Sequence, residues 1–64
     1  MNTYMIKVKT GNNWISLYTV TAEDAKKACY MHNVAPITFE QWLGIDDIYI
    51  ITEDGYDFAA VPVK

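Results

Sequence analysis

Residues 3–9 alternate: Tyr4, Ile6 and Val8 fall on one side, Met5, Lys7 and Lys9 on the other. A period of two marks a strand with one buried face. Thr10-Gly11-Asn12-Asn13 then forms a cluster that tolerates positive φ and turns the chain. Residues 14–20, rich in β-branched and aromatic types, read as the returning strand. The period changes next, with Ala22, Ala25, Ala28 and Cys29 recurring at helical spacing. Thr21 suits an N-cap, and Glu23 and Asp24 occupy the first turn, where the helix dipole favours negative charge. Glu23 and Lys27 form a favourably oriented i,i+4 pair. Asn33 suits a left-handed residue just past the helix, and Pro36 bars continuation. The pattern predicts a helix over about 22–32, with a stripe of small residues that lets it lie close to a sheet.

Residues 36–44 carry a second start signal. Thr38 and Gln41 match a capping box, Ile37 and Trp42 a hydrophobic staple, and Gly44 suits the stop. A short helix at about 39–43 is predicted, with an irregular loop pinned by Phe39 and Trp42 as the rival. Residues 47–53 are strand-like, and Asp54-Gly55 is a strong two-residue turn signal. Tyr56 to Val61 returns, with Tyr56, Phe58 and Ala60 on one face. Pro62 cannot donate a ladder hydrogen bond, so it belongs at an edge or at a strand's end. The order ββα(α)ββ defines an α+β fold. Two β-hairpins form one mostly antiparallel sheet of about four strands, with the main helix packed on one face.

At 64 residues the chain has material for one core, so residues 1–64 are read as a single domain. Nine aromatic residues are more than that core needs, and Trp14, Tyr30, Trp42, Tyr49 and Tyr56 cannot all be interior. One helix over a sheet leaves the second face to water or to a partner. The lone Cys29 excludes an intramolecular disulfide. No basic region followed by an apolar run opens the chain, so no signal peptide is evident. The apolar run Ile48–Ile51 falls far short of the roughly 20 residues that span a bilayer. A cytoplasmic protein without membrane contact is expected.

Net charge is −3 and is unevenly placed. Residues 38–64 set Glu40, Asp46, Asp47, Glu53, Asp54 and Asp57 against Lys64 alone. Arginine, the preferred reader of phosphate and guanine, is absent, which counts against nucleic acid as a partner.

Few residues promise chemistry. Cys29 and His32 stand at i and i+3 on the main helix, yet a structural zinc site takes four ligands and the chain has no other Cys or His. The pair reads instead as a small apolar Cys on the buried stripe and a His near the helix end. Asp46-Asp47 and Glu53-Asp54 flank one strand, where turn chemistry explains them better than acid–base work. No phosphate loop, dinucleotide fingerprint, calcium loop or nucleophile elbow is present. The chain is expected to be non-enzymatic, without cofactor or metal. Lys7 and Lys9 beside hairpin tyrosines keep open a single-stranded nucleic-acid module.

The strand–turn–strand followed by Thr21-Ala22-Glu23-Asp24-Ala25-Lys26-Lys27-Ala28 resembles short bacteriophage and prophage proteins, among them host-takeover and anti-defence inhibitors such as small anti-CRISPR proteins. The resemblance covers about residues 4–30 and carries no residue roles. It implies a compact, cofactor-free protein that occludes a site on a larger host protein, in some cases by acidic mimicry of nucleic acid. The leading expectation is a protein-binding inhibitor or modulator. Its surface would comprise Glu40, Trp42, Asp46, Asp47, Tyr49, Glu53, Asp54 and Asp57, facing a basic partner. A structural homo-oligomer is the alternative from a different class.

Overall fold

Two glycine turns close the two hairpins that the alternation predicts. The structure, a computed structural model, describes residues 1–63. Strands β1 (Asn2–Thr10) and β2 (Asn13–Ala22) meet at Gly11, whose φ of +62° an L side chain rarely adopts. Strands β4 (Ile48–Glu53) and β5 (Tyr56–Pro62) meet at Asp54-Gly55, with φ of +51° and +79°. Positive φ at both central residues is what a type I′ hairpin turn demands.

The remaining elements are helix α1 (Ala25–His32) and strand β3 (Ile37–Leu43). All five strands form one antiparallel sheet in the order β2-β1-β5-β4-β3. The sheet thus has five strands rather than four, and the predicted short helix at 39–43 is β3, an edge strand paired to β4. The physical reason is twofold. A helix of about five residues is too short to hold itself together. Ile37, Thr38, Phe39 and Trp42 are instead strand formers that satisfy the free side of β4. A register shift between Ile37 and Phe39 breaks the alternation that would have revealed the strand.

Helix α1 begins later than the predicted 22–32 because β2 stays paired with β1 as far as Ala22, opposite Asn2. Asp24, not Thr21, is the N-cap; its carboxylate accepts the Lys27 N–H at 2.8 Å. Asn33 is extended at φ −60° and ψ 128°, not left-handed, and its side chain is drawn towards Glu53. The Glu23–Lys27 pair forms at 3.8 Å but is solvent-exposed, so it contributes little. A helix of eight residues depends on packing. Ala25, Ala28 and Cys29 are fully buried, and these small side chains let the backbone approach the sheet closely.

Register fixes the two faces, because residues opposite one another across an antiparallel pair share a side. Tyr4, Ile6, Tyr49, Ile51 and Ala60 lie under the helix and, with Ala22, Ala25, Ala28 and Cys29, form the core. Val20, Ile37 and Phe58 extend it. Burying an Ile or Tyr side chain here stabilises by about 1.5–3 kcal/mol each. The opposite face carries Met5 and Lys7 of β1, Ala59 and Val61 of β5, Ile48 and Ile50 of β4, and Leu43 of β3. Pro62 ends β5, the central strand, where the missing N–H interrupts no ladder within it. Among the described residues, no helix is long and apolar enough to cross a membrane.

Candidate interaction surfaces

The acidic residues of the second half do not share one surface. Asp46 and Asp47 stand in the turn before β4, whereas Glu53, Asp54 and Asp57 lie at or beyond its far end. Six strand residues separate the two ends by roughly 20 Å. Only Glu40, Trp42, Asp47 and Tyr49 come together, on the helix side of β3 and β4. With Asp24 and Lys26, three of these four (Trp42, Asp47 and Tyr49) line a shallow hollow of about 220 Å³.

Most of these carboxylates are already engaged within the molecule. Glu40 accepts hydrogen bonds from the Tyr49 hydroxyl and, at 2.9 Å, from the Tyr30 hydroxyl. The two donors stabilise its charged form and hold the carboxyl below the ordinary glutamate range. Burial, then Glu40, pushes the Tyr49 hydroxyl upward; Glu40 itself is the main cause for Tyr30. The Tyr30 and Tyr49 rings meet edge-on at 6.5 Å. Asp47, at φ +51°, accepts from the Tyr4 hydroxyl at 2.6 Å and from the Trp42 indole N–H at 3.3 Å. It therefore ties the β3–β4 turn to β1. Asp57 accepts from Thr52 at 2.5 Å.

Glu53 is not a surface residue. It is 3% exposed, and its Oε2 accepts from Asn33 Nδ2 at 2.8 Å, Val34 N at 3.1 Å and Ala35 N at 2.8 Å. A buried carboxylate is tolerated when it is given donors, and here it organises the crossing from α1 to β3. Its other oxygen lies 3.5 Å from His32 Nε2, and His32 Nδ1 pairs with the Tyr18 hydroxyl of β2. Tyr18, His32 and Glu53 thus line up from β2 through the helix to β4, with Glu53 Oε1 buried beside His32 and without a hydrogen bond among the described residues. Tyr49 is likewise interior, at 7% exposed. Of the eight expected surface residues, Glu40, Trp42, Asp46 and Asp54 are exposed, and among the described residues no side-chain hydrogen bond engages Asp46 or Asp54. Cys29 packs in the core, gives its thiol proton to the Tyr49 carbonyl at 3.2 Å, and burial pushes it up to about 12. A thiol so held is not a nucleophile at neutral pH.

The feature that sequence reasoning placed least exactly is the uncovered face of the sheet. Lys7, Trp14, Leu43, Ile48, Ile50, Ala59 and Val61 line a groove of about 250 Å³ there. Ala59 is buried yet stands outside the core cluster, because its neighbours are these open-face side chains. Phe39, on the same face of β3, is 54% exposed. Its signal in the sequence is the unbroken run Ile48-Tyr49-Ile50-Ile51, which is apolar on both sides of the strand.

No protein-family model, curated protein or solved structure matches this chain.

Proposed function

We propose that this chain works by binding another protein through the open face of its sheet, as a non-enzymatic inhibitor or modulator. The observation that carries the reading is the apolar row of Trp14, Leu43, Ile48, Ile50 and Val61, which no element of the fold covers among the described residues. Apolar patches rimmed by polar residues mark interaction sites, and a central Trp is a frequent anchor. Lys7, Lys9 and Asp57 supply the rim. Asp46 and Asp54, unengaged at the two ends of β4, would steer a partner with basic groups around its apolar patch. The resemblance to short phage proteins narrows the reading to occlusion of a site on a host or defence protein in the cytoplasm.

Amine cross-linking during capture from the source cell tests this. Lys7 and Lys9 lie on the open side, Lys26 and Lys27 on the helix. The reading expects partner cross-links at Lys7 and Lys9; cross-links confined to Lys26 and Lys27 would contradict it.

A second reading has one observation behind it: Trp14 stands directly opposite Lys9, an aromatic beside a cation on an open sheet. That pairing suits a stacked base of single-stranded nucleic acid. A mobility shift that vanishes on replacing Lys7 and Lys9 would favour it over protein binding.

A further inference from the structure

Strand β2 is an edge that lacks most of the usual protections. Its ten residues, Asn13–Ala22, contain no charge and no proline, and eight of them are exposed. Natural edges are usually blunted by lysine, proline, short length or a cover. Here the one such device is a register shift opposite Ile6 and Lys7, which leaves Tyr18–Ala22 as a straight uncharged run. Four large apolar side chains stand partly out of this single strand: Trp14 at 39%, Ile15 at 48%, Leu17 at 45% and Tyr18 at 45% exposed. The other edge, β3, is shorter and carries Glu40.

We infer that β2 pairs antiparallel with β2 of a second copy of this chain, joining two five-stranded sheets into one of ten. Three observations select a second copy as the occupant. An antiparallel strand pair about a two-fold axis is self-complementary, so one surface serves both partners. Two chains of net charge −3 repel unless their acids are kept apart, and β2 is the charge-free edge, with Lys7 and Lys9 of β1 behind it. A stable dimer needs about 600 Å² from each partner. That is about a seventh of this molecule's 4222 Å² surface, and β2 contributes ten residues to that surface, eight of them exposed. The pairing also makes the open-face rows of the two copies continuous.

Hydrogen-bond alternation defines the outward groups. Thr10 and Asn13 flank the two-residue turn and bond to each other, so Trp14, opposite Lys9, turns its N–H and C=O outward. The same alternation, carried through the shift, turns Ser16, Thr19 and Thr21 outward.

Sedimentation velocity from micromolar to submillimolar concentration, with amide hydrogen exchange at both ends of the range, tests the pairing. The expected result is a concentration-dependent dimer in which the Trp14, Ser16, Thr19 and Thr21 amides gain protection. Thr19→Pro removes an outward donor and should abolish the dimer. The combined Ser16→Lys and Thr19→Lys variant, which leaves the β1 ladder intact, should weaken it at least about tenfold. A monomer throughout the range overturns the inference. So does a dimer that Ile50→Glu abolishes while Ser16→Lys and Thr19→Lys leave it unchanged. That second outcome places self-association on the open face instead, in competition with a different protein there, whereas a monomer leaves capture of a different protein untouched.

Discussion

The two faces of the sheet differ less in residue type than in what their side chains are bound to. On the helix side, Tyr4, Tyr30 and Tyr49 give their hydroxyls to Asp47 and Glu40, and Glu53 takes three donors from the α1–β3 crossing. On the other side, Ile48, Ile50 and Val61 line a groove that no helix or strand covers among the described residues. A chain with eight acids and five lysines cannot pair its carboxylates with cations alone. It uses tyrosine hydroxyls, amides and an indole instead. Much of the acidity that suggests a binding surface is therefore engaged in hydrogen bonds within the molecule, and the uncovered apolar row is the part that folding leaves unexplained.

Neighbouring isoleucines give the sharpest test of that contrast. Ile51 is fully buried under the helix and Ile50 lies on the open face of the same strand. Ile51→Ala should destabilise by about 3 kcal/mol, while Ile50→Ala should cost about 1 kcal/mol or less, as read from denaturant midpoints. Equal losses would mean that the open face is packed like a core. Next in size is Glu53→Ala, which strands the Val34 and Ala35 N–H groups and should cost about 2–3 kcal/mol. In a domain this small that lowers the melting temperature by more than about 8 °C. Glu53→Gln should lose less, since its amide oxygen still accepts. Tyr4→Phe, which removes the bond to Asp47, should cost about 1.5 kcal/mol and loosen the β3–β4 turn in hydrogen exchange.

The smallest effect is on pH dependence. Glu40 is held below its ordinary range, so its contribution is present above about pH 4.3 and is lost as pH falls through the depressed folded value. The raised Tyr30 and Tyr49 hydroxyls act in the opposite sense. Their contribution is present below about pH 10 and is lost as pH rises through their folded values. Glu40→Gln should flatten the acid limb of a stability–pH profile; an unchanged limb would remove Glu40 from the account.

Local signals carried the parts of the fold that local chemistry decides. Gly11 and Asp54-Gly55 need positive φ and mark both hairpins, and the alternation of Tyr4, Ile6 and Val8 fixes the buried side of β1. Competing signals hid the rest. Thr38 and Gln41 spell a helix start, but the unsatisfied edge of β4 outweighs it. Thr21 spells a cap, but pairing with β1 holds it in β2 and moves the cap to Asp24. The position of β5 between β1 and β4 is a long-range pairing with no local mark. Glu53 looked like a turn residue because only the folded crossing brings Asn33, Val34 and Ala35 to it. The scarcity of cations was the available clue that the acids are internal acceptors, and the two-sided run Ile48–Ile51 was the clue to the open face.

The affinity of the captured partner for three forms of the chain bears most directly on the difference between the faces. Wild type, Ile50→Glu on the open side and Glu40→Gln on the helix side should be titrated under one salt condition. The account predicts that Ile50→Glu weakens binding by at least about a hundredfold while Glu40→Gln stays within about threefold. A partner that tolerates Ile50→Glu and is lost with Glu40→Gln would contradict it.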